Sequence, residues 1–233
     1  MILHISDGGK GGVGKSTTAT ALINYLSGIG ERVYIIETDT LNPDVKRSTE
    51  KTGREVLSTF ANLRDEDGWN HFLELLENQS EAIDHAVVSL PGSDIGVQKY
   101  KDLLFGVMES LSIPLYHYFT INRQLDSISL YKESLKSGFG AIANKHIVIL
   151  NGAFGERQKF ERWDDSKPKN VKFDEVFLPE LYWKTVDSFQ VAGVTYDEFS
   201  ESATSPLVKS RINKWVSDIN GEFKRISAHG SDA

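Results

Sequence analysis

One motif restricts what this chain can fold into more than any other feature. Gly9-Lys10-Gly11-Gly12-Val13-Gly14-Lys15-Ser16 lies between an apolar run, Met1–Ser6, and a stretch of helical character, Ser16–Ser27. The spacing is G-x-x-x-x-G-K-[ST] in full, a pattern that requires a strand before it and a helix after it. The glycines let the backbone turn through positive φ and bring its N–H groups close around an anion. A helix opening at Lys15 and Ser16 adds the positive end of its dipole. Lys15 sets a point charge on β- and γ-phosphates, the Ser16 hydroxyl is a natural Mg2+ ligand, and Thr17 is placed to hydrogen-bond an α-phosphate oxygen. Gly9, Gly11, Gly12, Val13, Gly14, Lys15, Ser16 and Thr17 are thus the expected binding residues for ATP with Mg2+. The bland alternative, a glycine-rich turn that binds nothing, does not account for the strand and helix on either side.

Beyond the loop, short apolar runs alternate with helical patterns. Met1–Ser6, Arg32–Thr38, Ala86–Leu90, Leu115–Ile121, His146–Leu150 and Glu175–Leu178 read as strands, and Ser16–Ser27, Trp69–Glu77, Gln98–Leu111 and Leu125–Lys136 as helices. Strands interleaved with helices predict an α/β fold: a mostly parallel open sheet flanked by helices on both faces, as in P-loop NTPases. Ligands of such sheets sit beyond the carboxyl ends of the strands, where the motif falls. The charged segment Glu156–Lys172, interrupted by Pro168, reads as an exposed loop. One domain is expected over residues 1–226, with a small polar tail, 227–233, expected to be disordered.

The chain carries 26 Lys and Arg against 33 Asp and Glu, a formal charge of −7, so any DNA binding would be local and salt-sensitive. The absence of cysteine excludes a disulfide framework, a zinc–thiolate site and thiol catalysis. The histidines have no HExxH or comparable metal spacing, which leaves structural or surface roles for them. No apolar run is long enough to span a bilayer, and Met1–Ser6 lacks the basic start of a secretion signal. The expected location is cytoplasmic, with no membrane partner.

Gly9-Lys10-Gly11-Gly12-Val13-Gly14-Lys15-Ser16-Thr17 resembles the deviant Walker A motif of the ParA/MinD family of ATPases. The resemblance implies that Lys10 reaches across an ATP-dependent homodimer to the partner's nucleotide, where a second cation would stabilise charge developing in phosphoryl transfer. The alternative is that Lys10 is a solvated loop lysine. Val33-Tyr34-Ile35-Ile36-Glu37-Thr38-Asp39-Thr40 resembles the family's second strand, commonly ending in D-x-D. Asp39 matches the second acid, implied to hold the attacking water near Mg2+, so Lys10, Lys15 and Asp39 are the implied catalytic residues; a turn-forming role for Asp39 before Asn42-Pro43-Asp44 is the alternative. Glu37 replaces the first acid. Ile147-Val148-Ile149-Leu150-Asn151-Gly152 and Phe177-Leu178-Pro179-Glu180-Leu181 resemble the family's adenine-contacting segments, which implies contacts from Asn151, Pro179 and Glu180. Asn151 also suits a turn before glycine.

The main departure is Asp84-His85-Ala86-Val87-Val88-Ser89-Leu90-Pro91-Gly92, where Ser89 stands at the position of the family's Walker B aspartate. A serine brings no negative charge, so hydrolysis is expected to be slow or partner-dependent, with Asp94 either compensating or serving as an ordinary loop acid.

From Pro206 to Ile226, Leu207, Val208, Ile212, Trp215, Val216, Ile219, Phe223 and Ile226 recur on one helix face. That stripe suits a final helix packed on the sheet. A DNA-facing basic edge, as in ParA relatives, and a membrane-surface helix, as in MinD relatives, are the other readings. Resemblance to plasmid-borne members implies service in plasmid stability, partition or conjugative transfer, with DNA or a DNA-bound plasmid protein as cargo. A non-hydrolysing ATP-binding adaptor and an ATP-dependent ligase of the same fold are the alternatives.

Overall fold

The structure, a computed structural model, describes residues 1–92 and 95–228. The expectations for Asp94 and for residues 229–233 lie outside the described residues. Seven strands form one sheet: β1 (Ile2–Asp7), β2 (Val33–Glu37), β3 (Val56–Phe60), β4 (His85–Ser89), β5 (Leu115–Ile121), β6 (Lys145–Asn151) and β7 (Asp174–Leu178). Their order is β3-β2-β4-β1-β5-β6-β7. Every pairing is parallel, where the sequence predicted a mostly parallel sheet. All strands therefore end at one edge, and β1, in the middle, delivers the glycine loop there.

Side-chain alternation along each strand assigns it to two helical layers. Val33, Ile35, Val87, Ile147 and Ile149 pack with α1 (Lys15–Gly28) and with α9 (Pro206–Ala228). Tyr34, Ile36, Ala86 and Val88 face the opposite layer, built from α3 (Glu66–Gln79) and α4 (Val97–Ser110). The intervening α2 (Asp44–Arg47) is a single turn beside the phosphate loop. Phe119, Ile121, Val148 and Leu150 complete the second face under α5 (Leu125–Ser137) and α6 (Glu161–Ser166).

Several expectations change. Glu156–Lys172 is not simply an exposed loop, because it contains α6 and its Phe160 and Trp163 are fully buried in the cluster shared with α5. Two aromatic anchors turn a charged segment inward while its polar residues stay in water. Helices α7 (Trp183–Ala192) and α8 (Tyr196–Ser202) were not predicted, nor was β3. β3 is an edge strand, partly exposed on both faces, and so lacks the apolar run that marks a buried strand. α9 runs through Ser227 to Ala228, past the boundary expected after Ile226.

The α9 stripe is core. Ile212, Trp215, Val216, Ile219, Phe223 and Ile226 are buried against α1 and the sheet, while Leu207, 59% exposed, belongs to the stripe only in sequence. Lifting these six side chains into a membrane interface would first forfeit burial worth on the order of 10 kcal/mol. Among the described residues, no helix is long and apolar enough to cross a membrane. The histidines His4 and His85 bond each other at 2.8 Å, a structural role consistent with their lack of metal spacing.

Candidate functional site

The loop after β1 runs from Gly8 to Gly14, and Gly9, Gly12 and Gly14 take φ of 63, 74 and 107°, conformations that disfavour any side chain. A Cβ placed on Gly11 or Gly12 would meet nothing within 4 Å, so the loop presents an open cradle of backbone. Ser6 Oγ donates to Lys15 O at 2.9 Å and Thr18 N to Gly14 O at 2.9 Å, which fix where α1 starts.

Facing the loop is a cavity of about 370 Å3, lined on one side by Gly11, Gly12, Gly14, Lys15, Ser16 and Thr17 and on the other by Asp39, Asn42 and Asp44. Lys15 is 7% exposed and its Nζ donates to Lys10 O at 2.7 Å. Burial lowers its ammonium below the usual range, and the carboxylates of Asp7 and Asp39 pull the other way. Val13 is buried and supports the loop from below.

Asp39 fulfils the turn expectation and still lines the cavity: Oδ1 accepts from Leu41 N at 3.2 Å and Asn42 N at 3.1 Å. The Glu37 substitution has a visible reason. Its longer side chain is buried and reaches the start of α2, where Oε2 accepts from Val45 N at 3.2 Å and Lys46 N at 3.3 Å, while Oε1 accepts from Asp39 N at 3.1 Å. Glu37 thereby shapes the whole Asp39 turn.

Burial pushes the Glu37 carboxyl from 4.5 to about 7, against the pull of those three N–H groups. Across that window the folded protein keeps a proton that the unfolded chain has released, so this group's contribution to stability falls as pH rises. The stability of wild type minus that of Glu37→Gln, from urea unfolding, is expected to drop by up to about 3 kcal/mol between pH 4.5 and 7.5. A difference that stays flat over this range would refute the burial effect.

Asp7 and His117 were missed by sequence reasoning. Asp7 Oδ1 accepts from Gly8 N and Gly9 N at 2.6 and 3.2 Å, and Oδ2 accepts from His117 Nε2 at 3.1 Å. Burial raises the Asp7 carboxyl, but His117 and the two loop amides outweigh it and hold the group below its usual value. The pair anchors the base of the glycine loop. An acid directly before the glycine run was the available signal.

Lys10 is half-exposed and paired with Asp126 Oδ2 on α5 at 2.9 Å, a surface contact that solvent screens and that is easily exchanged. Ser89 is buried at the end of β4, in register with Glu37 and Ser6, and its carbonyl accepts from Thr38 Oγ1 at 2.6 Å.

Asn151, Pro179 and Glu180 do not line the cavity with Asp39. Asn151 Nδ2 donates to Val13 O at 2.7 Å, and its Oδ1 accepts from Ala153 N at 3.0 Å, so the amide braces the phosphate loop. Pro179 O accepts from Trp215 Nε1 at 2.7 Å, and Glu180 follows at the exposed end of β7. These residues form a neighbouring corner, joined to the loop through Asn151. Among the described residues, no cluster of three His, Cys, Asp or Glu side chains could hold a metal ion.

An all-parallel sheet with helices on both faces and a glycine cradle at the carboxyl end of its central strand defines an α/β protein of the P-loop NTPase type. The sequence profile of the CobQ/CobB/MinD/ParA nucleotide-binding domain matches residues 7–177. The chain belongs to this family. It is 36% identical to Protein MobD of Acidithiobacillus ferrooxidans over 71% of its own length and 70% of that protein's. In structure it resembles the MinC:MinD cell division protein complex of Aquifex aeolicus, with TM-score 0.61, 18% identity and coverage of 97% and 96% of the two chains. It also resembles a putative plasmid partition protein from Borrelia burgdorferi bound to AMPPNP, with TM-score 0.59, 15% identity and coverage of 96% and 98%.

Proposed function

We propose that the chain is an ATP-gated switch: it binds Mg-ATP in the cavity below Gly11–Thr17, closes into a homodimer, and in that state engages DNA or a DNA-bound plasmid protein in the cytoplasm. The observation that carries this reading is Lys10, a half-exposed cation beside an open phosphate cradle, whose ammonium is held among the described residues by a surface ion pair with Asp126. Lys15 would hold the β- and γ-phosphates and the Ser16 hydroxyl the Mg2+, which supplies charge neutralisation there. Asp39 would orient a water. Asn151, Pro179 and Glu180 would meet the base, for which the Asn151 amide must exchange its bond to Val13 O. Likeness to MobD and to a putative plasmid partition protein supports a role in plasmid stability, partition or conjugative transfer.

With Mg-ATP, wild type is expected to reach about twice its 26.1 kDa mass by light scattering, whereas Lys10→Ala stays monomeric and ADP leaves both monomeric. A DNA-shift lane run on the same samples tests the cargo. Wild type that remains monomeric with Mg-ATP at every concentration would defeat the switch reading. A second reading, an ATP-binding adaptor that does not hydrolyse, is favoured by the buried Ser89, which offers no carboxylate to the metal. Phosphate release from the dimer, with and without DNA, separates the two: measurable turnover excludes the adaptor.

A further inference from the structure

A trough of about 730 Å3 runs between α3 and α4, on the layer that carries neither the glycine loop nor α9. From α3 it is lined by Asn70, Leu73, Glu74 and Glu77, a single helix face about 10 Å long at 1.5 Å per residue. From α4 come Leu103, which is 50% exposed, Val107 and Gly106. A Cβ on Gly106 would meet nothing within 4 Å, so a guest backbone can approach α4 closely there. The floor is apolar and the rim acidic. Among the described residues, Glu74, Glu77 and Asp102 line the trough and no Lys, Arg or His does. Glu74 and Glu77 form no ion pair among the described residues, and Asp102 has only a loose contact with Lys101 at 3.8 Å.

The walls are rigid. Trp69 of α3 is fully buried, stacks on Tyr100 of α4 at 5.1 Å, and donates from Nε1 to Ile95 O at 3.0 Å just before α4 begins. A preformed groove loses little freedom when it is occupied.

We propose that this trough docks a short amphipathic helix of a partner protein, with aliphatic side chains seated on Leu103, Gly106 and Val107 and flanking Lys or Arg residues opposite Glu74, Glu77 and Asp102. A furrow between two helices with a glycine on its floor accepts the ridge of a third helix, and anchors at i, i+3/i+4 and i+7 match its two-turn length. The charge of the rim selects a basic guest and repels nucleic acid and anionic lipid. A second copy of this chain is a poor guest, because the apolar stripe of its long amphipathic helix, α9, is already buried.

The test uses the full chain and three fluorescein-labelled peptides: a helical peptide with Leu at those anchor positions and Lys flanks, the same peptide with Glu flanks, and a scramble of the first. Anisotropy is expected to show saturable binding of the Lys-flanked peptide alone. Gly106→Gln fills the floor with a good helix former on an exposed face, so folding is retained, and it is expected to weaken binding about tenfold or more. Glu74→Lys with Glu77→Lys is expected to weaken the Lys-flanked peptide by a similar factor and to recruit the Glu-flanked one. No saturation below about 1 mM, equal binding of the scramble, or indifference to Gly106→Gln overturns the proposal. Self-association of the wild type that Gly106→Gln abolishes overturns it as well, in favour of a second copy as occupant.

Discussion

Lys15→Ala is expected to weaken Mg-ATP binding on the order of 100-fold, measured by titration calorimetry on folded protein. Lys15 is almost fully buried, and burial has already lowered its ammonium while Asp7 and Asp39 hold the charge in place. Much of the dehydration that a buried ion pair demands is therefore met by the fold before a phosphate arrives. Removing one partner of a desolvated, hydrogen-bonded charge pair costs about 2–5 kcal/mol, and each 1.4 kcal/mol is about tenfold in affinity. The alanine also removes the bond from Nζ to Lys10 O, so circular dichroism and a melting curve must accompany the titration. Unchanged affinity in a folded variant would remove the basis for the proposed function, Lys10 included.

The second large effect is on stability. Gly14→Ala is expected to destabilise the chain by about 3 kcal/mol in urea unfolding, from two sources. A side chain at φ 107° costs about 1–3 kcal/mol in backbone strain. The added Cβ would also lie 2.3 Å from Asn151 Nδ2, so the amide must move and give up its 2.7 Å bond to Val13 O. An unsatisfied buried carbonyl costs about 1–3 kcal/mol more. Gly11→Ala is the internal control: its Cβ meets open space, and stability should change by less than about 1 kcal/mol. Equal unfolding midpoints for the two variants would show that Asn151 does not brace the loop.

Much of the fold was legible because its signals are local. β5 spans Leu115–Ile121 as predicted, and α1, α4 and α5 lie within a residue or so of the predicted bounds. Each of these is a run whose period and flanking residues are contained within the segment itself. A local signal for α8 was present and overlooked: Thr195 and Glu198 form a reciprocal capping box, the T-x-x-E pattern that opens a helix. β3 and α6 offered less, since one is held by an edge pairing and the other by two aromatic anchors among charges.

The site divides along the same line. The sequence alone determined the glycine cradle with Lys15 and Ser16 at its end, because a phosphate loop is built from consecutive residues whose turns through positive φ need glycine; Asp39 was reached through resemblance to the family's second strand. Only the tertiary structure decided that Asp7 is clamped by His117, 110 positions away, and that Asn151 braces Val13 across 138. It also decided that Glu37 caps α2 and that α9 is core. The Asp7 and Asn151 contacts depend on which strand ends the sheet brings side by side, and the core position of α9 on which faces are buried, and no local pattern records either.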